Sequence, residues 1–338
     1  MFQDYLNTII LGNSLSEMQM SRLMDDIFSG KLSDIHIGAV MAALAVRGET
    51  FEELAGAAGA MRRKALRIQT STPMVLDTCG TGGDRSGTFN ISTTAAFVVA
   101  GCGVTVAKHG NRSNTSKCGS ADLLEALGVN LNAPPELVEE AVLEIGIGFL
   151  YAPLYHSAMR FAANARKQLG IRSIFNMLGP LTNPAAANCQ LIGVYSSRLT
   201  EMFARALRLL GSRRAFVVHG HDGLDEISVC APTRVTELHQ NKIRTYDLMP
   251  ETFFGEAADP RDLAGGTPDV NADITRHIFN GEKGPRRNIV CINAAAALVA
   301  AGKVSDLNDG IRMAEASIDG GAASHTLNEL IRFTRENG

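Results

Sequence analysis

Three polar segments of this 338-residue chain carry side chains suited to chemistry on an anionic ligand. The first, residues 77–84 (DTCGTGGD), follows a short apolar run at 74–76 and precedes a Ser/Thr-opened helix. Glycines let the main chain take φ > 0 and come close to a ligand, so that successive N–H groups beside a helix start can face phosphate oxygens. Thr88, Asn90, Ser92 and Thr93 add hydroxyls and an amide where that helix begins, and simple N-capping by Ser92 or Thr93 can coexist with ligand binding. The second segment, residues 108–117 (KHGNRSNTSK), again follows an apolar run. Lys108 would neutralise phosphate charge as a compact point charge and Arg112 in a bidentate way, with Asn111, Ser113, Thr115 and Ser116 as neutral donors. Two such loops imply a ligand with more than one anionic group. The third segment, residues 219–228 (HGHDGLDEIS), places adjacent carboxylates after another apolar run, and Asp225 and Glu226 are therefore candidates for Mg²⁺. His219 and His221 have no further clustered ligand for a transition metal. Arg166 is the cation placed to receive a carboxylate on a second substrate.

The elements that must position these groups change character near Pro73. Up to about Arg67 the apolar spacing is helical throughout, with capping-box patterns at Ser14/Glu17 and Thr50/Glu53 and helix-ending glycines at Gly30 and Gly48. The run 37–46 is apolar nearly all round, which predicts either subdomain core or contact with another subunit. Beyond Pro73, short β-rich runs at 75–77, 104–107, 148–151, 191–194 and 215–219 alternate with helices, the pattern of a parallel sheet covered by helices. Ligands sit beyond the carboxyl ends of the strands in such sheets, where the polar loops fall. Residues 155–188 lapse into helix and loop and read as a return to the helical subdomain. Residues 234–238 and 242–246 predict a hairpin, 255–271 a surface excursion, and 293–301 and 326–335 helices. The expected fold class is α/β: a small all-helical domain, residues 1–70 with a return at about 164–187, and a larger α/β domain, 71–163 and 188–338, with a central mostly parallel sheet.

A net charge of -3 argues against a constitutive nucleic-acid binder. The six scattered cysteines form no CxxC pair and are expected as buried thiols, Cys79 and Cys118 included. No stretch is apolar enough to span a bilayer and the start lacks a signal-peptide pattern, so a cytoplasmic location is expected.

GTGGD at 80–84, NIST at 90–93, KHGNRS at 108–113, RKQLGIRSIFNMLGPLTNP at 166–184 and GLDEIS at 223–228, in this order, resemble the anthranilate phosphoribosyltransferase family essentially end to end. The resemblance implies transfer of a phosphoribosyl group from phosphoribosyl pyrophosphate to the amine of anthranilate, giving N-(5-phosphoribosyl)anthranilate and pyrophosphate, the second step of tryptophan biosynthesis from chorismate. It implies Mg²⁺, two ions during turnover, and a homodimer formed through the helical domains. By motif, Gly80, Gly83, Asp84, Thr88, Asn90, Ile91, Ser92, Thr93, Lys108, His109, Gly110, Asn111, Arg112, Ser113, Asn114, Thr115, Ser116 and Ser120 would bind the donor. Ser92, Asp225 and Glu226 would handle the metal; Gly80, Asn111 and Arg166 would contact anthranilate, with His109, His156 and Gly179 lining its path. Electrostatic stabilisation would rest on Lys108, Asp225 and Glu226, with no certain general base. Asn114, Thr115 and Cys118 depart from a loop usually built of small residues and serines, and Asn164-Ala165 stands where a proline is common; loop stiffness or anthranilate affinity is where these would tell.

Two other readings are weighed beside this one. A pyrimidine nucleoside phosphorylase shares the architecture but has no natural use for an Asp225–Glu226 pair with Mg²⁺. A non-catalytic relative that binds nucleic acid predicts a basic cleft and missing metal carboxylates.

Overall fold

The computed structural model describes residues 2–70, 72–84, 86–113 and 117–336. Helices Phe2–Ile10, Glu17–Phe28, Asp34–Arg47 and Phe51–Lys64 form the N-terminal bundle. The capping box at Thr50 and Glu53 forms as expected. The one expected at Ser14 is displaced by two residues: Ser16 caps the second helix and pairs reciprocally with Gln19. Glu53 also explains why the bundle's turns hold. Its buried carboxylate accepts from the main-chain N–H of Leu15 and of Thr50 and pairs with Arg47. In the helix Asp34–Arg47, Ile37, Val40, Met41 and Leu44 are buried, whereas Ile35 and Val46, three turns apart on one face, are more than four-fifths exposed. Within the apolar run 37–46, four residues are core, Gly38, Ala39, Ala42 and Ala43 are half-buried, and only Ala45 and Val46 are exposed.

Seven strands, β1 (Leu76–Gly80), β2 (Val106–Gly110), β3 (Ile147–Tyr151), β4 (Cys189–Gly193), β5 (Arg214–Gly220), β6 (Thr233–His239) and β7 (Lys242–Leu248), form one sheet in the order β3-β2-β1-β4-β5-β6-β7. The first five are parallel, and the β6–β7 hairpin adds an antiparallel edge whose turn places Gln240 and Asn241 at positive φ. Several strands run further into the polar segments than their apolar residues suggest. Lys108, His109 and Gly110 belong to β2, in register with Phe149, Leu150 and Tyr151. They stay in the ladder because partners inside the protein satisfy their polar atoms.

Alternate residues of the central strands feed two cores. Leu191 and Phe216 face the core shared with helices Ile91–Gly101 and Pro285–Ala300, while Ile192 and Val217 face a core continuous with the N-terminal bundle and helix Leu199–Leu209. The chain rejoins the bundle through helix Arg160–Leu169, whose Ala162 and Ala165 enter that second core. Asn164 donates from Nδ2 to Asp34 Oδ2 at 2.5 Å, so the residue that replaces a common proline fastens this helix to the bundle. Segment 255–271 is not a mere surface excursion: Ala264 bridges to Thr88, Phe89 N donates to Leu263 O, and Leu263 and Asn271 are buried. The helix expected from 293 starts at Pro285, a residue suited to a first helical position, and the last helix spans Ala322–Glu336.

Candidate active site

Strand order reverses between β1 and β4, and both strands end on a glycine, Gly80 paired with Gly193. A methyl group on Gly193 would lie 1.6 Å from the carbonyl oxygen of Asp225, and one on Gly80 would lie 2.7 Å from its Oδ2. Only glycines let segment 223–228 cross the strand ends here. Asn293, buried on helix Pro285–Ala300, fixes that segment: Ile227 N donates to Asn293 Oδ1, and Asn293 Nδ2 donates to Ile227 O, both at 2.9 Å.

The glycine loop leaves β1 and is tied residue by residue. Thr81 N donates to Gly193 O (2.9 Å) and Thr81 Oγ1 accepts from Tyr195 N (3.0 Å). Gly82 N donates to Asp225 Oδ2 at 3.0 Å, and Gly83 O accepts from Arg172 Nη2 at 2.9 Å. Gly82 and Gly83 both have positive φ. Helix Ile91–Gly101 follows with Asn90 at its N-cap but without a side-chain cap bond. Asn90 instead donates to Cys118 O and accepts from Asn271, joining the two polar loops, while Ser92 N donates to Glu226 Oε1 at 3.0 Å. Ser92 and Thr93 therefore do not cap the helix; they lie in its first turn with Ile91. The positive helix end faces the Asp225–Glu226 pair.

Electrostatics on this side are unbalanced. Burial, then the neighbouring Asp225 charge, pushes the Glu226 carboxyl up to about 8, against the pull of Lys108. Asp225 is raised by burial and by Asp84, whose buried Oδ2 has no hydrogen-bond partner. Lys108 is buried and donates from Nζ to Thr78 O; burial lowers its pKa and Asp77 offsets part of that. Asp77, itself buried, accepts from His109 N and Asn183 Nδ2. Converging carboxylates with an unpartnered oxygen fit a hard divalent cation. Among the described residues no three His, Cys, Asp or Glu form a cage, so water and substrate oxygens would complete the shell, as suits Mg²⁺.

The opposite side pairs two neutral histidines with one cation, Arg166. His109 Nδ1 lies 3.1 Å from Gly179 O and its Nε2 lies 3.2 Å from His156 Nε2. The Gly179 carbonyl can only accept, so the hydrogen of His109 sits on Nδ1, and His156 donates from Nε2. Burial lowers His109 to about 3 and His156 to about 4, leaving both neutral at pH 7. Arg166, near the C-terminal end of its helix, is half-buried 5.6 Å from the Phe175 ring centroid and makes no ion pair among the described residues.

The second loop is placed less directly. Asn111 is exposed, Ser113 N donates to Asp122, and Ser120 Oγ donates to Asn111 O. Gly110 ends β2 where a Cβ would meet Ser120 Oγ at 2.2 Å. Arg112 turns to Asp122 and Glu125 at 2.9 and 2.8 Å, so it anchors the loop to helix Ser120–Leu127. Asn114, Thr115 and Ser116 lie outside the described residues. Cys118 donates from Sγ to Asn90 Oδ1, and burial pushes its thiol up to about 11; Cys79 is raised as well, so neither is poised as a nucleophile. Sequence reasoning passed over Asp77, Arg172, Asn183, Asn271 and Asn293. For Asn293 a signal existed, a lone amide inside the apolar run 289–300.

Fold and site together define a two-domain glycosyl transferase: residues 3–65 match the glycosyl transferase family, helical bundle domain, and residues 72–324 its a/b domain. Within that class the chain belongs to the anthranilate phosphoribosyltransferase family. It is 67% identical over 337 residues to the enzyme of that name from Syntrophobacter fumaroxidans, with all of both chains covered. It is similar to the crystal structure of the Thermus thermophilus enzyme at a TM-score of 0.93 and 43% identity, covering 98% of this chain and 99% of the other. It is also similar to the Saccharomyces cerevisiae enzyme in complex with PRPP and Mg, at a TM-score of 0.90 and 30% identity over 99% and 98% of the two chains.

Proposed function

We infer that the carboxyl ends of β1 and β4 are where this chain performs the family's reaction. The chain is a phosphoribosyltransferase: it transfers the phosphoribosyl group of phosphoribosyl pyrophosphate to anthranilate, giving N-(5-phosphoribosyl)anthranilate and pyrophosphate in tryptophan biosynthesis. The observation that carries the assignment to this place is the convergence of the glycine loop, the first turn of helix Ile91–Gly101, Lys108 and the Asp225–Glu226 pair at the point where strand order reverses.

On this reading the amine nitrogen bonds to the anomeric carbon as the bond from that carbon to the pyrophosphate oxygen breaks, and the nitrogen then sheds its proton. The loop amides beyond Gly82, whose own N–H and that of Thr81 are taken by Asp225 and Gly193, would meet the departing charge, with Lys108 acting on it as a nearby buried cation; preorganised groups of this kind stabilise it most. Bound Mg²⁺ would neutralise pyrophosphate oxygens. Asp225, Glu226 and the Ser92 hydroxyl would hold it, as two ions during turnover. Arg166 receives the anthranilate carboxylate, and the neutral His109–His156 pair lines the path of an acceptor whose amine is also neutral. Asn111, Gly80 and Gly179 complete that path; Gly83, Asp84, Thr88 and Ser120 complete the donor site.

The two lobes are residues 1–70 with 164–187, and 71–163 with 188–338. Ile35 and Val46, exposed with Ile10, Leu11 and Met18 on the bundle, support a homodimer through the helical lobes. The six cysteines are unpaired thiols, in keeping with the cytoplasm. Among the described residues no helix is long and apolar enough to cross a membrane.

The test is pyrophosphate release in the presence of anthranilate and Mg²⁺, run beside phosphate-dependent base release from thymidine. Activity in the first assay alone is expected; activity in the second alone would replace this reading with a nucleoside phosphorylase.

A further inference from the structure

Arg172 lies in the return segment six residues after Arg166, and the glycine loop belongs to the sheet. Its guanidinium carbon lies 3.8 Å from the ring centroid of Tyr195, and Nη2 donates to Gly83 O at 2.9 Å. Tyr195 is itself joined to the loop, because its main-chain N–H donates to Thr81 Oγ1. Arg172 makes no ion pair among the described residues although its side chain is exposed, so it is not spent on a surface carboxylate. Gly83 has a positive φ that favours glycine, and a Cβ there would lie 2.9 Å from Arg172 Nη2 and push the guanidinium off its bond.

Each residue of the loop is thus held from a different element: Thr81 by the end of β4, Gly82 by Asp225, and Gly83 by the return segment. The Gly83 bond fixes the carbonyl, and fixing a carbonyl sets the plane of the next peptide, whose N–H belongs to Asp84. The Tyr195 ring beneath the guanidinium carbon supports the side chain where Nη2 reaches Gly83 O. We propose that Arg172 is a positioning residue: stacked on Tyr195, it sets the peptide between Gly83 and Asp84 so that the glycine loop is preorganised for the pyrophosphate end of the donor, and it ties that loop to the segment carrying Arg166. This rests on the donor site proposed above.

The experiment compares Arg172→Ala, Arg172→Lys, Tyr195→Phe and Tyr195→Leu with the wild-type enzyme in steady-state kinetics, calorimetric titration of phosphoribosyl pyrophosphate with Mg²⁺, and thermal melts. Arg172→Ala should raise the donor KM and Kd about tenfold, the scale of a lost charged hydrogen bond, with the anthranilate KM moved less and the melting temperature little changed. Arg172→Lys should recover part of the loss, Tyr195→Phe nearly all affinity, and Tyr195→Leu should weaken donor binding about threefold. The Arg172→Ala, Tyr195→Leu double variant should be no worse than Arg172→Ala alone. Unchanged donor affinity in Arg172→Ala would overturn the proposal, as would an equal rise in both KM values with a lowered melting temperature. The Asp225→Asn, Glu226→Gln variant separates the two claims: loss of Mg²⁺-dependent donor binding there upholds the donor site whatever the Arg172 variants do, and unchanged donor binding there would overturn that site and this proposal with it.

Discussion

The carboxylate side and the histidine side of this site solve opposite problems. Asp225 and Glu226 bring carboxyls together where burial opposes their charge, and Glu226 is pushed up to about 8 as a result. His109 and His156 are driven the other way, to about 3 and 4, and the protein keeps them uncharged. On the proposed reading, the first arrangement would take cations and a polyanion and the second an aromatic amine that arrives neutral. The contrast teaches that burial alone does not decide what a pocket binds. What matters is whether the buried groups ionise when a cation arrives, as the carboxyls do, or stay neutral, as the histidines do.

The largest effect should come from removing that charge. Asp225→Asn with Glu226→Gln should lower turnover about a hundredfold or more at saturating Mg²⁺, with the anthranilate KM little changed, measured by pyrophosphate release. Equal losses in turnover and anthranilate affinity would dissolve the distinction between the two sides. On the acceptor side, Arg166→Ala should raise the anthranilate KM about tenfold or more and leave the donor KM nearly alone. An unchanged anthranilate KM would remove Arg166 from that site.

The two sides should also differ in sign when stability is followed with pH. For the histidines, folded values lie below the ordinary 6.5, so the unfolded chain takes up protons first; their contribution is full above about 6.5 and is lost as pH falls through the folded values. For Glu226 the folded value lies above the ordinary carboxyl value, so its contribution is full in acid and is lost as pH rises through about 8. Melts from pH 5 to 8.5 should therefore show Mg²⁺ restoring stability at the alkaline end and not at the acid end, while His156→Phe flattens the acid end alone. Mg²⁺ raising the melting temperature equally at both ends would contradict this. Smallest of all, Ser16→Ala, remote from both sides, should cost about 1 kcal/mol in a denaturant melt and leave both KM values unmoved.

Much of this layout is legible in the sequence because it depends on local signals. Glycines and adjacent carboxylates after apolar runs mark strand ends, and the strand–helix alternation places those ends on one edge of a sheet. Thr50 and Glu53 are readable as a capping box because both partners are local. What was not legible depends on partners far along the chain. Lys108 reads as a loop cation, yet it is buried in β2 because Thr78 and Asp77, some thirty residues earlier, receive it. Arg112 reads as a phosphate ligand, and its pairs with Asp122 and Glu125, ten and thirteen positions on, are not readable from the loop itself. The lone amide of Asn293 in an apolar run marks a buried polar group, but its partner, Ile227, lies 66 positions away and is not marked. The Ser14/Glu17 pattern failed for a smaller reason: Ser16 and Gln19 offer the same reciprocal bonds two residues later.

The central claim, that Asp225 and Glu226 hold the Mg²⁺ through which the donor's pyrophosphate is gripped, is tested most directly by calorimetric titration of phosphoribosyl pyrophosphate with and without Mg²⁺. The wild-type enzyme should bind the donor far more tightly with Mg²⁺, and the Asp225→Asn, Glu226→Gln variant should bind it with nearly the same affinity in both buffers. A variant that keeps the wild-type dependence on Mg²⁺ would contradict the account.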